Sequence, residues 1–197
     1  MKATGLILAS AIATAAAIGS ASCTGKGSNN AVPKPEAWPR IELPGENYKT
    51  HTIGHATLHF NAEASVSTER NDGSATWITV RYPQFRNAAV YLTLTSAQPS
   101  EITGILANRR ERMELNAGGA TTVITELTSA GGWHCELAET RTSLTTPLQL
   151  LATDSTSVLS GAFYLDLPAG SSADSISPVV KAVSNDLLHL LKNCANE

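Results

Sequence analysis

The amino-acid sequence has no apolar stretch long enough to cross a lipid bilayer as a helix. Its main apolar segment, Leu6–Ile18, has 13 residues, whereas a membrane-spanning helix needs about 20. Aromatic residues make up only 5% of the 197 residues, so we expect a core built from Val, Ile, Leu and Ala. The sequence also has no basic run long enough to neutralise many phosphates, which argues against a nucleic-acid partner.

The common signatures of catalysis are also missing. The sequence contains no G-x-S-x-G, H-E-x-x-H or C-x-x-C motif, which would indicate a hydrolase nucleophile, a zinc protease or a redox dithiol. Gly118-Gly119 and Gly131-Gly132 predict turns, since neither is followed by the Gly-Lys-Thr/Ser of a phosphate-binding loop. We therefore expect neither catalytic activity nor a cofactor.

The first 23 residues do carry a recognisable signal. A basic start precedes the apolar segment, and the small residues 19–22 precede Cys23. This layout is typical of an export signal. A cysteine at the first mature position predicts a bacterial lipoprotein, in which residues 1–22 are removed and Cys23 is lipidated. Ser20 stands where the usual lipoprotein motif has Leu. The alternative is an ordinary secretory peptide cut near Ala21, which would leave Cys23 as a free thiol.

The mature chain is predicted to consist of a tether and a folded domain. Residues 23–37 are rich in Gly, Ser, Asn, Pro and Lys and show no apolar period, which predicts a flexible tether. Residues 38–197 have the length of a single domain. Acyl chains on Cys23 would anchor this domain to a membrane of the cell envelope, because each buried CH₂ contributes roughly 0.8 kcal/mol. No acidic run follows Cys23, which favours a domain that faces the periplasm.

Alternation of apolar and polar residues predicts a series of β-strands. For example, Ile78 and Val80 would share one face of a strand, as would Leu92 and Leu94 of another. The predicted strands are 39–44, 55–62, 76–82, 89–95, 121–127, 133–138, 147–153 and 158–167.

The apolar period changes to that of a helix in two places. Ser100 is expected to cap a first helix, in which apolar residues recur at helical spacing from Ile102 until Gly118-Gly119. Ser177 is expected to cap a second helix, with Pro178 at its first position. Two amphipathic helices and about eight strands predict a single α+β domain, in which an antiparallel sheet has the helices packed on one face.

Three histidines, His51, His55 and His59, are spaced by four residues, as zinc ligands on a helix are. The stretch alternates like a strand, however, and strand positions four apart lie roughly 13 Å from each other. We therefore expect polar surface residues and no metal site.

The predicted domain contains two cysteines that could form a thiol site or a disulfide. His134, Cys135 and Glu136 are adjacent, but neighbouring strand residues point to opposite faces. His134 is therefore badly placed to activate the thiol, and we expect Cys135 to be a core residue. Cys135 and Cys194 could pair as a disulfide in an oxidising compartment, or remain two separate buried thiols. The sequence leaves both alternatives open, and we expect the second.

Charged residues offer two further candidate sites. The run 109–112 is expected to be a solvated stretch toward a helix C-terminus, the alternative being a docking site for an acidic partner. Asp154 is expected at a turn, Asp174 just before a helix cap, and Asp186 on the polar face of a helix. Since each has a local role, no working carboxylate pair is expected.

Several segments follow one another in the order of a known family pattern. Residues 33–35 lead into 40–44, and residues 77–86 read Trp-Ile-Thr-Val-Arg-Tyr-Pro-Gln-Phe-Arg. Further matching segments are 153–155, 161–165, 174–179 and 186–187. Over this span the chain resembles the gliding-motility-associated lipoprotein D family (GldD) of Bacteroidota. It departs from the family pattern at residues 156–160, which hold no His or Arg.

The resemblance implies a lipid-anchored accessory protein of the gliding motility and type IX secretion machinery, with envelope proteins of that machinery as partners. It implies no known catalytic activity, and an architecture similar to PsbP-like α+β domains. The alternatives are a periplasmic ligand-binding lipoprotein, which should have a concave pocket, and an enzyme, which should cluster residues of perturbed pKa.

Overall fold

The computed structural model describes residues 42–71, 74–85, 88–167 and 171–197. The predicted signal peptide (1–22), the lipidated Cys23, the tether (23–37) and the domain start at Trp38 lie outside the described residues. The predicted strand at 39–44 is wrong over residues 42–44, because these belong to no strand.

A small sheet of three antiparallel strands begins and ends the described chain. Strands β1 (Tyr48–Ile53) and β2 (Ala56–Asn61) form a hairpin, and the C-terminal strand β10 (Ala195–Asn196) pairs with β2. The hairpin turns at Gly54, whose φ of 65° is accessible to glycine without steric cost. The sequence predicts β2 but not β1, because the polar residues of β1 show no apolar alternation.

Seven further strands form one antiparallel sheet, the large sheet. They are β3 (Ser65–Asn71), β4 (Ala75–Arg81), β5 (Ala89–Ser96), β6 (Thr122–Thr128), β7 (His134–Thr140), β8 (Leu148–Thr153) and β9 (Ser157–Tyr164). Their order across the sheet is β3-β4-β5-β9-β8-β7-β6. The register places Ile78 beside Leu92, and Leu92 beside Gly161. Like β1, strands β3 and β10 are not among the strands predicted from the sequence.

The main core lies between one face of the large sheet, the small sheet and the C-terminal helix. Alternation directs Ile78 and Leu92 to this inner face. Two α-helices are present in the described chain, α1 (Pro99–Ala117) and α2 (Ala173–Asn193). The apolar stripe of α2, which includes Val183 and Leu187, packs into the same core. Neither helix is long and apolar enough to cross a membrane.

Helix α1 lies on the opposite, outer face of the large sheet. Its one buried residue, Ile102, packs against Leu151 and Val158 in a second, smaller cluster. The expectation of a single α+β domain with an antiparallel sheet is confirmed, but the expectation that both helices share one face is wrong. The reason is that β8 is apolar on both faces, so that Leu150 joins the main core and Leu151 the smaller cluster.

Both helices begin earlier than the sequence indicates. The N-cap of α1 is Gln98, not Ser100, and the Glu101 carboxylate accepts a hydrogen bond from the Gln98 backbone N–H (3.0 Å). The N-cap of α2 is Ser172, not Ser177, and its hydroxyl accepts a hydrogen bond from the Ser175 backbone N–H (3.3 Å). Pro178 therefore lies inside the helix, and the serine side chains at 172 and 175 supply the capping interactions.

Candidate functional site

The outer face of the large sheet carries three exposed aromatic side chains, which we call the aromatic face. Trp77 on β4 is 48% exposed, Tyr91 on β5 is 48% exposed, and Tyr164 on β9 is 40% exposed. All three occupy the positions that alternate with core residues, so they point away from the main core. The rings of Tyr91 and Tyr164 meet edge to face, with centroids 5.6 Å apart.

The aromatic face is open because α1 covers only part of the sheet. Helix α1 makes its main contacts with β8 and β9, and it leaves Trp77 of β4 and Tyr91 of β5 about half exposed. Where the helix meets the sheet, Tyr91 and Tyr164 line a shallow cavity of about 160 Å³ together with Arg109 and Arg112 of α1. Strand residues and helix residues thus form a mixed aromatic and basic surface.

The two arginines at this cavity keep their positive charges unneutralised. Among the described residues, no carboxylate forms an ion pair with Arg109 or Arg112. Partial burial, together with the neighbouring charge of Arg112, lowers the pKa of Arg109 from its ordinary value. Arg110, on another side of α1, forms an ion pair with Glu136 of β7. The site is therefore suited to a partner that brings negative charge against aromatic rings.

The run 109–112 lies toward the C-terminus of α1, as expected, but it is solvated only in part. Arg110 and Arg112 are exposed, as expected, whereas Arg109 is half-buried. The helix continues to Ala117 and ends at Gly118, so the run lies a turn or more before its end.

A second polar cluster surrounds Asp186 of α2. This aspartate is expected on the polar face of a helix, but it is only 7% exposed, because that side of α2 packs against β2. Its carboxylate accepts hydrogen bonds from Tyr48 Oη, Asn61 Nδ2 and Tyr82 Oη, each at 3.1 Å. These donors come from β1, from β2 and from the residue after β4, so the carboxylate joins both sheets to the helix.

Burial and hydrogen bonding act in opposite directions on Asp186. Burial raises the pKa of the carboxyl, and the hydrogen bonds from Asn61, Tyr82 and Tyr48 only partly offset it. Burial and the nearby carboxylate raise the pKa of Tyr48 to about 12. The pKa of Tyr82 is raised by the same two causes. Because three donors already occupy the carboxylate, its arrangement is that of a structural link between elements.

The three spaced histidines do not form a site. A turn separates His51 on β1 from His59 on β2, so the single extended stretch that the sequence indicated is wrong. His51 contacts the edge of the Phe60 ring, and His55 shares a hydrogen bond with Ser157. In the described ranges, no group of three His, Cys, Asp or Glu side chains could hold a metal ion.

His59 lies near another histidine, His189 of α2, with ring centroids 5.8 Å apart. His189 also stacks on Tyr48, with ring centroids 3.6 Å apart. Burial, and then the charge of His59, lower the pKa of His189. This pair adds an aromatic contact beside the Asp186 cluster.

Of the remaining candidates, Cys135 and Asp154 lie where the sequence predicts them. His134 is exposed, while Cys135 is buried in the main core. Asp154 lies at the β8–β9 turn, where burial acts to raise its pKa but hydrogen bonds from Thr156 and Asn196 lower it overall. Asp174 lies in the first turn of α2, after the cap at Ser172, so its predicted position just before a helix cap is wrong. No two of the three aspartates come together.

The aromatic face is not among the sites predicted from the sequence. The available signal was an aromatic residue at an outward position of an alternating strand. Trp77 precedes the inward Ile78, and Tyr91 precedes the inward Leu92. Composition alone does not reveal such residues, because it does not say which face a helix will cover.

Comparison with known proteins identifies one family. The family model of the gliding motility lipoprotein GldD matches residues 28–195, which is most of the chain. A search of curated proteins returns no significant match. The resemblance found in the sequence is therefore confirmed, and the chain belongs to the gliding motility lipoprotein GldD family, as a gliding-motility-associated lipoprotein of the cell envelope.

Proposed function

We propose that this lipoprotein is an accessory component of the gliding motility and type IX secretion machinery, and that it acts by binding other envelope proteins through the aromatic face. It is not an enzyme in this proposal. The observation that carries the proposal is the uncovered group of Trp77, Tyr91 and Tyr164 beside Arg109 and Arg112.

The composition of this surface matches that of protein interfaces. Trp, Tyr and Arg are the residues most enriched among those that dominate binding energies, and contiguous exposed apolar patches are uncommon on monomeric proteins. Here the three aromatic residues are large hydrophobic side chains left exposed on one sheet face. The unpaired charges of Arg109 and Arg112 would speed association with an acidic surface and orient it.

The lipid anchor supplies the second part of the proposal. Acyl chains on Cys23 would confine the domain to a thin layer at the membrane, facing the periplasm. Residues 23–37 would then set its reach. Confinement of this kind raises the effective concentration of the domain near membrane-bound partners without any new contact.

A periplasmic ligand-binding role is the second candidate, and one cavity favours it. Between α1 and strands β6 and β7 lies an open cavity of about 490 Å³, lined by Met113, Ile124, Glu136 and others. Its volume is within the range of small-molecule sites. Substitution of Ile124, which is exposed in this cavity, separates this role from docking at the aromatic face.

The test is complementation of a deletion strain with variants of the full chain, followed by affinity capture from cross-linked membranes. Trp77→Ala with Tyr91→Ala should abolish both colony spreading and capture of machinery proteins. Leu115→Ala removes another exposed apolar side chain, from the far part of α1, and should leave both unchanged. Full complementation by the double aromatic variant, with loss of spreading in Ile124→Ala, would support the ligand-binding role instead.

The anchor has its own test in the same strain. Cys23→Ala should abolish metabolic labelling with palmitate and reduce spreading, while the domain itself still accumulates. Labelling that persists in Cys23→Ala would contradict the predicted site of lipidation.

A further inference from the structure

The only two cysteines among the described residues lie side by side. Cys135 is the second residue of β7, and Cys194 directly follows α2. Although 59 positions separate them in sequence, their Sγ atoms are 3.8 Å apart. Cys135 is 2% exposed and Cys194 is fully buried. Two distant segments of the chain thus bring two thiols into contact inside the main core.

The surroundings hold both sulfur atoms in place. Both thiols point toward the carbonyl oxygen of Leu191, at 3.6 Å for Cys135 and 3.3 Å for Cys194. The Ser129 hydroxyl donates a hydrogen bond to the Cys194 carbonyl oxygen (2.7 Å) and accepts one from the Trp133 backbone N–H (2.9 Å). The segments that carry the two cysteines are therefore fixed to each other through Ser129 as well.

The two sulfur atoms are close enough to form a bond after a small movement. A disulfide requires an S–S distance of about 2.0 Å, and side-chain rotation at two adjacent cysteines can supply the difference from 3.8 Å. The two thiols are also unequal. The contact with Cys194 and then burial raise the pKa of Cys135. The contact with Cys135 lowers the pKa of Cys194, which is thereby favoured as the attacking thiolate.

We propose that the mature protein carries a disulfide bond between Cys135 and Cys194, formed as the chain folds in the cell envelope. Disulfides form and persist in that oxidising compartment, and membership of a lipoprotein family places the chain there. The proposal is independent of the docking role of the aromatic face.

The oxidant is a protein disulfide, and the exchange takes place in two steps. The Cys194 thiolate attacks one sulfur of that disulfide, which forms a mixed disulfide and expels one thiolate. Cys135 then loses its proton and attacks the Cys194 sulfur, which closes the bond and expels the second thiolate. Two electrons pass to the oxidant, and the two thiol protons end on its two sulfur atoms.

The bond would join the two sheets covalently. Cys135 belongs to the large sheet, while Cys194 precedes β10, which pairs with β2 of the small sheet. The closed loop comprises α2 and three strands of the large sheet, namely most of β7 and all of β8 and β9. A cross-link over so long a loop restricts the unfolded chain strongly.

Peptide mapping of the full-length lipoprotein tests the proposal. The protein is extracted from membranes in denaturant with N-ethylmaleimide, without reductant, and digested with trypsin. Cleavage after Arg112, Arg141 and Lys192 separates peptide 113–141, which holds Cys135, from peptide 193–197, which holds Cys194. We expect a single linked species that separates on reduction. Recovery of the two peptides unlinked, each with one maleimide, would overturn the proposal.

A control variant and a melting experiment complete the test. In Cys135→Ala, peptide 193–197 should carry one maleimide, which shows that the reagent reaches this site. Wild-type protein refolded with reductant should melt about 10 °C below the oxidised form. The variant with both cysteines replaced by alanine should melt identically with and without reductant. If the reduced and the oxidised wild-type protein melt at the same temperature, the proposal of a bond that joins these elements in the native fold would be overturned.

Discussion

The two faces of the large sheet differ in how they are covered, and neighbouring residues on one strand illustrate the difference. Leu92 on the inner face is 2% exposed beneath α2 and the small sheet, whereas Tyr91 on the outer face is 48% exposed. Helix α2 brings a broad apolar stripe to the inner face, while α1 buries a single residue, Ile102, on the outer one. The inner face therefore accounts for stability, and the outer face keeps large aromatic side chains available for binding.

The largest effect on stability is expected from a substitution on the inner face. Leu92→Ala should lower the free energy of unfolding by about 2–5 kcal/mol, because it removes a side chain from a close-packed core. Tyr91→Ala, one residue away, should change it by less than about 1 kcal/mol. Urea unfolding followed by circular dichroism measures both. Equal losses in the two variants would show that the faces do not differ in this way.

Two glycine-to-alanine substitutions, one in the large sheet and one in α1, should have opposite effects on stability. A Cβ at Gly161 would collide with the Tyr91 carbonyl oxygen and the Leu92 side chain, whereas a Cβ at Gly104 of α1 would meet nothing within 4 Å. Gly161→Ala should therefore cost about 1–3 kcal/mol, and Gly104→Ala should stabilise by about 0.5–1 kcal/mol. Thermal melting of both variants distinguishes them, and destabilisation by Gly104→Ala would contradict the open position of that residue.

The Asp186 cluster at the edge of the inner core predicts a pH dependence. Since burial raises the pKa of this carboxyl above 3.8, the folded protein holds the proton more tightly than the unfolded chain does. Its contribution to the free energy of unfolding is then fully present below pH 3.8 and declines as the pH rises through the raised value. Asp186→Asn should remove this decline. Urea unfolding across that pH range measures the free energy of unfolding of both proteins. The same pH dependence in the wild type and in Asp186→Asn would contradict the raised pKa of Asp186.

The smallest effect on stability is expected at the outer arginines. Arg109→Ala and Arg112→Ala should each change the free energy of unfolding by less than about 0.5 kcal/mol. They should nevertheless weaken partner capture, and the capture that remains should depend less on salt. Arg141→Ala is a matched control, because its side chain is 76% exposed at a distance from this surface. Equal loss of capture in Arg141→Ala would point to a general charge effect.

Much of the fold was predictable because alternation is a local signal. Strands β2, β4, β5 and β7 were predicted with ends within a few residues, since a half-buried strand repeats every two residues. Strands β1 and β3 were missed because their exposed positions are polar and their inward positions are few. The start of α2 was misplaced because Pro178 suggests a first helical position more strongly than the two capping serines do.

The candidate site depends on tertiary packing, and for that reason the sequence revealed less of it. The run 109–112 was noted as a docking alternative, but its neighbours Tyr91 and Tyr164 come from strands distant in sequence. Asp186 was assigned to the polar face of a helix, and its burial was not predicted, because its donors, such as Tyr82, lie about a hundred residues away. The cysteine pair was left open for the same reason, since only the fold places residues 135 and 194 together.

Site-specific photo-crosslinking in living cells tests the docking role of the outer face most directly. A photoreactive residue at Thr93, beside Trp77 on the outer face, should yield discrete cross-links to other envelope proteins. The same residue at Lys181 of α2, on the other side of the molecule, should yield none. Cross-links from Lys181 with none from Thr93 would contradict the account.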